Sequence, residues 1–579
     1  MASVTVHNVA MHIDIVPNRD SPPAVLLRES YREGTKVRKR TLANLSALST
    51  EQVDAIRRTL KGERLVPVAE LFEIVRSRHH GHVQAVRAAI KQLGFESLVA
   101  SRPSRERDLI VAMVIARILE PASKLATTRW WHTTTLPEAF GVADAGEDDL
   151  YEALDWLITR QDHIEKKLAA RHLKKGGLVL YDLSSSYFEG TKSPLAALGY
   201  NRDGKSGKLQ VNYGLLTDPR GRPVAVSVFE GNTGDPKTLI PQVEKLQKSF
   251  AIEQLVLVGD RGMISQKQIN ELKKRDGIDW ITALRTGAIR KLVDGGQIQL
   301  GLFDERNLFE VTHPDFPGER LVACRNSQLA LLRAKKRQSL LQATSTELEK
   351  VRGMISRGKI KGKDAIGVRV GKVVDKYKMS KHLVLDIRDD GFDFHLDDDK
   401  VSAEAALDGI YVVRTSVTAQ FLATDDVVRS YKMLSQVEQA FRSLKTIDLE
   451  VRPIRHRRED RVKAHIFLCM LAHYVVWHMI ESWRELLFCD EDQQAKKTRD
   501  PIAPAKRSNA ALDKVHSKVL DDGTPVHSFQ TLLKDLSTIV SNTCRRPGAS
   551  TADEPTFDIV TNPSPTQQRA YDLLRSIQV

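Results

Sequence analysis

Two short, fully apolar runs that each end in an acidic residue constrain the fold most strongly. The first reads Leu-Val-Leu-Tyr-Asp over 178–182, and the second reads Leu-Val-Leu-Val-Gly-Asp over 255–260. Continuous apolar strands separated by helical segments are typical of a sheet covered on both faces, in which such strands run parallel. The runs therefore predict an α/β core with Asp182 and Asp260 just past the ends of two parallel strands, where open α/β sheets place their sites.

The chain between and after these runs predicts the remainder of the core. A turn at 218–222 that contains Pro and Gly joins two strand-like segments, and a helical pattern follows. The sheet pattern is then interrupted between 286 and 430, where a charged helical stretch and several strand-like runs predict an α+β insertion domain. The predicted core elements are strands at 208–217, 222–229 and 280–285 and a helix at 236–249.

The segment from Tyr431 to Lys445 contains no Gly or Pro and is predicted to be one helix. Its apolar residues recur at heptad spacing and form one stripe, and Glu438 lies in line with Tyr431 and Lys445 beside that stripe. Arg442 falls on the outer flank. A carboxylate at this rim is held rigidly and can reach a metal ion or a polar ligand, although a solvated charge pair is the usual role of Glu and Lys on one helix face.

The rest of the chain is less specific. The first hundred residues are basic, with a predicted hairpin at 24–42 and helices starting at Ser49 and spanning 68–78. The run from 350 to 381 holds eleven Lys and Arg against two Asp, which is either one solvated face or a surface that tracks phosphates. The predicted regions are a basic region 1–100, a helical region 101–175, an α/β core 176–285, an insertion 286–430, a second core part 431–485 and a partly mobile tail 486–579.

Charge and cysteine content indicate the class of partner and the compartment. The 88 Lys and Arg exceed the 74 Asp and Glu, giving a net charge of +14, which favours nucleic acid as partner first and a membrane surface second. The four cysteines form no Cys-x-x-Cys pair, which suits a reducing compartment and argues against structural zinc. The start of the sequence lacks signal-peptide features, and the apolar helix at 466–480 is too short for a bilayer. We expect a cytoplasmic protein without a membrane partner.

Three acids are the candidate metal ligands: Asp182, Asp260 and Glu438. Carboxylates without a Cys or clear His partner suit hard divalent ions, Mg²⁺ or Mn²⁺, and two such ions can promote displacement at a phosphodiester. Taken singly, Asp182 can cap a turn, Asp260 can pair with Arg261, and Glu438 can be a surface charge. Taken together, in strand and helix contexts that converge, they favour a metal site.

The ordered motifs resemble those of the DDE transposases of bacterial insertion sequences. They are Tyr-Asp-Leu-Ser-Ser-Ser-Tyr at 181–187, Gly-Asn-Thr-Gly-Asp at 231–235, Gly-Asp-Arg-Gly at 259–262, and Tyr431, Glu438 and Lys445. The likeness covers about residues 20–490 and is closest to the branch with the Tyr-Arg-Glu-Lys signature. It implies an RNase H-like mixed sheet flanked by helices, interrupted by the insertion domain, after a mainly helical N-terminal region. Leu434 stands where that signature has Arg.

The resemblance also implies residues that contact DNA. Tyr431 and Lys445 would contact phosphates near the cleaved strand, and Arg442 would take the place of the missing signature arginine. Basic residues of two loops have a similar implied role, with an ordinary basic loop as the equal alternative. These residues are Arg202, Lys205, Lys208, Arg455, Arg457 and Arg458.

The implied function is that of a transposase acting on double-stranded DNA. The enzyme would bind the inverted-repeat ends of its own element, cut with the help of Mg²⁺ or Mn²⁺, and join the ends to target DNA as a homodimer. Two alternatives remain open at this stage. One is an RNase H-like nuclease without joining activity, and the other is a non-catalytic DNA-binding protein derived from a transposase.

Overall fold

The computed structural model describes residues 10–19, 21–63, 65, 67, 71–547 and 555–578, except the side chains of 496 and 497. The chain forms two compact units. The smaller comprises Met1–Ser77 with Ser541–Thr561, and the larger comprises Arg78–Val540 with Asn562–Val579. Each unit is described by itself.

The smaller unit contains an antiparallel meander in the order β1-β2-β3. The predicted hairpin is confirmed, with Gly34 at positive φ in its turn. The predicted helix start at Ser49 is also confirmed, because Ser49 and Gln52 form a reciprocal capping box. The elements are β1 Ala10–Val16, β2 Ala24–Glu33, β3 Lys36–Asn44, α1 Thr50–Leu60, β4 Glu73–His79, β15 Val540–Arg545 and β16 Phe557–Val560.

The helix predicted at 68–78 is wrong over its described part. Residues Glu73–His79 form β4, which lies in a three-stranded sheet of order β16-β15-β4, whereas 68–70 lie outside the described residues. Pairing with β15 satisfies the backbone groups of this segment, and its partner lies more than 450 residues later in the chain. The hydrophobic pattern of the eleven residues 68–78 contains no information about a partner strand so remote in the chain.

The larger unit is built on an eight-stranded mixed sheet of order β10-β11-β14-β9-β8-β5-β6-β7. Strand β5 pairs parallel with β8, and β8 pairs parallel with β9, whereas β6 pairs antiparallel with both β5 and β7. The parallel relation predicted for the two apolar runs is therefore confirmed. The strands are β5 Leu178–Tyr187, β6 Gln210–Thr217, β7 Pro223–Glu230, β8 Leu255–Val258, β9 Ile278–Ala283, β10 Leu308–Val311, β11 Arg320–Arg325, β12 Leu383–Ile387, β13 Phe392–Leu396 and β14 Ile410–Thr415.

Helices cover this sheet and form a second layer with a common core. The predicted helix at 236–249 is confirmed as α8 and a π-helical turn, Lys245–Ser249. The helices are α2 Gly81–Gln92, α3 Phe95–Val99, α4 Arg105–Leu119, α5 Lys124–Trp130, α6 Leu136–Ala139, α7 Glu147–His172, α8 Asp235–Glu244, α9 Gln266–Leu272, α10 Thr286–Asp294, α11 Leu302–Glu305, α12 Ser327–Ser356, α13 Lys363–Tyr377, α14 Asp398–Ala405, α15 Thr424–Lys432, α16 Leu434–Arg442, α17 Glu459–Ser482, α18 Gln493–Thr498, α19 Asn509–Ser517, α20 Phe529–Leu536 and α21 Pro565–Arg575.

The interruption of the sheet predicted at 286–430 is narrower in the structure. Strands β10, β11 and β14 come from this segment, and all three extend the main sheet beyond β9. The part that leaves the sheet is 327–409, with α12, α13, the β12–β13 hairpin and α14. Much of it packs around a hydrophobic core of its own, which includes Leu348, Val351, Ile366 and Val370.

Part of the tail 486–579 contributes to the main core. Leu532, Leu536 and Leu574 are fully buried there, and the indole Nε1 of Trp483 donates a hydrogen bond to the carbonyl of Ala570 at 2.8 Å. Helix α17 is long and apolar enough to cross a membrane, but 83% of its most apolar window is buried inside the protein. It therefore has the character of the central core helix of this unit.

Candidate active site

Asp182 and Asp260 meet at one edge of the sheet because of the register of β5 and β8. The paired residues end at Leu180 opposite Val258, and each acid lies two residues beyond that pair. Asp260 follows β8, as predicted, but Asp182 lies inside β5, which continues to Tyr187. The prediction that Asp182 lies past a strand end is therefore wrong, because pairing with β6 extends β5.

Backbone groups orient both carboxylates. The Leu183 N–H donates to Asp182 Oδ1 at 2.8 Å. The N–H groups of Gly262 and Met263 donate to Asp260 Oδ1 at 3.0 and 2.8 Å. Asp260 thus closes a turn and, among the described residues, makes no ion pair with Arg261. Each carboxylate keeps a second oxygen, Oδ2, for which no hydrogen-bond donor is present in the described part of the chain.

Glu438 is presented by a helix that is shorter than predicted. The single helix expected over 431–445 is divided into α15, a tight turn at Met433, α16, and a π-helical turn over Ser443–Ile447. The Met433 N–H is shared between the carbonyls of Arg429 and Ser430, which tightens the chain there. Helix α16 still packs on β5 through its buried stripe of Val437, Phe441 and Leu444.

Glu438 and Arg442 lie beside this stripe, at the rim of the face that packs on β5. Glu438 and Arg442 are exposed, whereas Leu434 is half-buried against the core. A depression of about 490 Å³ brings the three predicted acids together with further charged residues. Its charged lining residues are Asp182, Asp260, Glu438, Asp203, Asp235, Arg202, Arg442, Lys445 and Arg452.

The electrostatics of the depression reflect the crowding of its acids. Burial, together with the negative charges of Asp260 and Glu438, raises the pKa of Asp182 to about 7, and the Leu183 N–H and Arg202 oppose this shift. Burial also raises the pKa of Tyr431 to about 12, with the charge of Asp260 next in size, so Tyr431 keeps its phenolic proton near these acids.

The donor set fits a hard divalent cation, because it consists of carboxylates from three segments, each with an oxygen that no side chain engages. Among the described residues, however, no three His, Cys, Asp or Glu side chains lie close enough to hold a metal ion as they stand. Glu438 is exposed and projects from a helix surface. Its side chain can change rotamer without disturbing the core.

Sequence reasoning missed an ion-pair cluster in the wall of the depression. Asp203 Oδ1 contacts both Lys445 Nζ at 2.9 Å and Arg452 Nη1 at 2.5 Å, and Asp203 Oδ2 accepts a hydrogen bond from the Tyr187 N–H at 3.0 Å. We call Asp203, Lys445 and Arg452 the Asp203 bridge. The Asp203 side chain is only 1% exposed, so its charge is committed to these partners. Burial lowers the pKa of Lys445, and Asp203 opposes that shift.

The remaining predicted DNA contacts fall into two groups. Arg202 lies in the depression but is paired with Asp235, whereas Lys205 and Lys208 are exposed and have no side-chain partner among the described residues. Arg455 is paired with Glu189 at 3.0 Å, and Arg458 with Asp155 at 3.1 Å. Arg455 and Arg457 line a separate small recess. Asp235 is the last residue of the motif Gly-Asn-Thr-Gly-Asp at 231–235, and Asp203 directly follows the predicted DNA contact Arg202; these positions were the available signal.

Comparison with known families identifies this arrangement. Residues 175–475 match the transposase DDE domain, which is just over half of the chain, and residues 13–66 match the N-terminal domain of IS1634 family transposases. The chain belongs to the DDE transposase family. This DDE transposase is an insertion-sequence enzyme that cuts and transfers DNA, and its family generally uses divalent metal ions. This match favours a transposase over both alternatives, a nuclease without joining activity and a non-catalytic DNA-binding protein.

Comparisons with individual proteins add little. No curated protein matches this DDE transposase. A cryo-EM structure of the piggyBac transposase synaptic complex with hairpin DNA is 10% identical and has a TM-score of 0.31, over 78% of this chain and 77% of that one.

Proposed function

We propose that Asp182, Asp260 and Glu438 are the catalytic carboxylates of this transposase and hold Mg²⁺ or Mn²⁺, as two ions. The observation that carries the proposal is that carboxylates from three distant segments line one depression, where their mutual repulsion helps to raise the pKa of Asp182 to about 7. A cluster of this kind is unfavourable without a cation and becomes favourable with one.

The residues of the chain have distinct tasks in this proposal. Bound divalent ions supply activation of the attacking oxygen and stabilisation of the leaving oxygen. Asp182 must lose its proton to act as a ligand, and Asp260 is held ready by its two backbone hydrogen bonds. Glu438 completes the set from the exposed face of α16. The same site would first cut at the element end and then join the resulting 3′-OH to target DNA.

DNA would lie over the depression. Tyr431 and Arg442 are placed beside the acids, and Lys445 is placed there through the Asp203 bridge, so that all three can contact phosphates near the cleaved strand. The residues Arg202, Lys205, Lys208, Arg455, Arg457 and Arg458 would extend this contact along the duplex. The enzyme would act as a homodimer on paired inverted-repeat ends, with the basic N-terminal region recognising them.

The fold of the core supports an RNase H-like arrangement in this proposal. Within the sheet, the run β7-β6-β5-β8-β9 has three antiparallel strands followed by two that are parallel to β5. We propose the division into regions 1–100, 101–175, 176–285, 286–430, 431–485 and 486–579, with the insertion proper narrowed to 327–409.

The decisive experiment is Mg²⁺-dependent cleavage of a labelled duplex that carries the end of the element. We expect Glu438→Gln and Glu438→Ala to lower the cleavage rate by at least about a thousandfold, because each removes a metal ligand. DNA binding should survive, because the rest of the surface is unchanged. Glu271→Gln is the matched control, since Glu271 is a helical Glu outside the depression whose side chain is 43% exposed.

The products test the two chemical steps separately. Joining of a pre-cleaved end with a free 3′-OH by the wild type, and no joining of the same end by the Glu438 variants, would show that one site performs both steps. Full activity of Glu438→Ala with either Mg²⁺ or Mn²⁺ would overturn the assignment of Glu438.

A further inference from the structure

The insertion contains a basic helical arm, residues 327–381, which consists of α12, α13 and the adjoining turns. Helix α12 leaves the main sheet directly after β11 and contains 30 residues. At 1.5 Å per residue it is about 45 Å long, so the loop 357–362 at its end lies far from that point of the sheet. Helix α13 returns along α12, and Leu348, Val351, Ile366 and Val370 bury the shared face. The arm is therefore a rigid projection.

The outer surface of the arm carries a large excess of positive charge. Residues 327–381 contain fifteen Lys and Arg against four Asp and Glu. Nine of these cations are exposed and have no ion-pair or hydrogen-bond partner for the side chain among the described residues. The nine are Arg333, Lys335, Lys336, Arg357, Lys359, Lys361, Lys363, Arg369 and Lys372.

The placement of these cations is unfavourable unless an anion approaches. Arg357, Lys359, Lys361 and Lys363 crowd the loop at the end of the arm. The backbone N–H of Lys363, the first residue of α13, donates a hydrogen bond to Asp389 Oδ1 at 3.2 Å, so an acid of the chain already lies at the positive end of this helix and only the cationic side chains lack partners. Such like-charge crowding costs folding free energy, and a polyanion would remove that cost.

The rest of the insertion has the opposite charge and limits where a polyanion can bind. Residues 382–409, with the β12–β13 hairpin and α14, contain nine Asp and Glu against two Lys and Arg. Several of these acids pair with cations at the base of the arm, as Asp408 does with Arg337 and Glu404 with Lys381. Asp390, Asp398 and Asp399 are exposed and have no such partner in the described part of the chain. They repel phosphates, so contact is confined to the arm.

We propose that the basic arm binds the phosphate backbone of duplex DNA away from the catalytic depression and without reading base sequence. The chemistry of the surface favours a duplex over a single strand. Single-stranded nucleic acid is held by aromatic platforms on which bases stack, and the one aromatic residue of the arm, Tyr377, is occupied by Lys376. Six of the nine free cations are Lys, which contacts phosphate as a point charge.

The test measures DNA affinity against salt concentration in EDTA, so that it does not depend on cleavage. The variant carries Lys359→Ala, Lys361→Ala and Lys363→Ala, which are exposed and leave the core of the arm intact. Each lost phosphate contact makes the slope of log Kd against log salt shallower by about 0.9, so we expect a change of up to about 2.7. The change should be the same for the element end and for an unrelated duplex.

A matched variant controls for net charge. It carries Lys274→Ala, Arg569→Ala and Arg575→Ala, which remove three cations paired with Glu271, Glu485 and Asp572 outside the arm. We expect it to change the slope by less than about 0.5. Equal slopes for the arm variant and the wild type, or a loss confined to single-stranded DNA, would overturn the proposal. Because the proposal rests only on DNA as the substrate, this result is independent of the Glu438 cleavage experiment.

Discussion

Metal binding in the depression lined by Asp182, Asp260 and Glu438 should depend strongly on pH because of Asp182. Burial favours the neutral acid and, with the neighbouring carboxylates, raises its pKa to about 7. A carboxylate must be deprotonated to act as a metal ligand, so protons compete with the cation. Roughly nine molecules in ten are deprotonated at pH 8 and roughly one in ten at pH 6. Lowering the pH from 8 to 6 should therefore raise the apparent Kd for Mn²⁺ roughly tenfold.

Isothermal titration of Mn²⁺ into DNA-free protein measures this dependence directly. Repeating the titration at pH 7 in buffers of different ionisation enthalpy should show the release of about half a proton per site. Glu438→Gln removes one of the charges that raise the pKa of Asp182, so its profile should move to lower pH while binding weakens overall. Glu271→Gln should leave the profile in place. The same apparent Kd at pH 6 and pH 8, without proton release, would refute the reasoning.

Two further predictions concern stability. Asp203→Asn removes the acceptor shared by both cations of the Asp203 bridge, and we expect a loss of about 3 kcal/mol in the free energy of unfolding in urea. Asp390→Asn, at an exposed acid, should cost less than about 0.5 kcal/mol, and equal losses would contradict the bridge. Burial lowers the pKa values of His172, His473 and His478 to about 3, 4 and 3. The unfolded chain binds protons that these histidines exclude, so stability should fall below about pH 6.5 by up to about 1.4 kcal/mol per histidine and pH unit. Equal unfolding midpoints at pH 5 and pH 7 would rule this out.

Local sequence patterns were sufficient for elements whose burial is complete. The apolar runs at 178–182 and 255–260 predicted two parallel strands, because a strand buried on both faces must be apolar at every position. The same patterns did not predict the length of β5, since its continuation from Asp182 to Tyr187 depends on pairing with β6. The error at 73–79 has the same origin, in a partner strand that is remote in the chain.

The helix predicted over 431–445, which carries Glu438, was correct in its buried face but not in its hydrogen-bond pattern. The heptad pattern correctly predicted that Val437, Phe441 and Leu444 are buried and that Glu438 lies beside them at the rim of the packed face. It did not predict the tight turn at Met433 or the π-helical turn that follows α16. A pattern with helical period reports which face is buried, and small changes in hydrogen-bond spacing leave that face almost unchanged.

The sequence by itself determined the carboxylates, the strands that carry two of them and the excess of basic charge, since each is a property of residue type and local period. Only the tertiary structure decided how the charges are used. Lys445 meets Asp203 across 242 residues, and Arg452 reaches the same oxygen. Nine of the fifteen cations of the basic arm, by contrast, have no side-chain partner among the described residues. Ion pairing depends on distances of a few ångströms between remote segments, and no local spacing in a sequence encodes such distances.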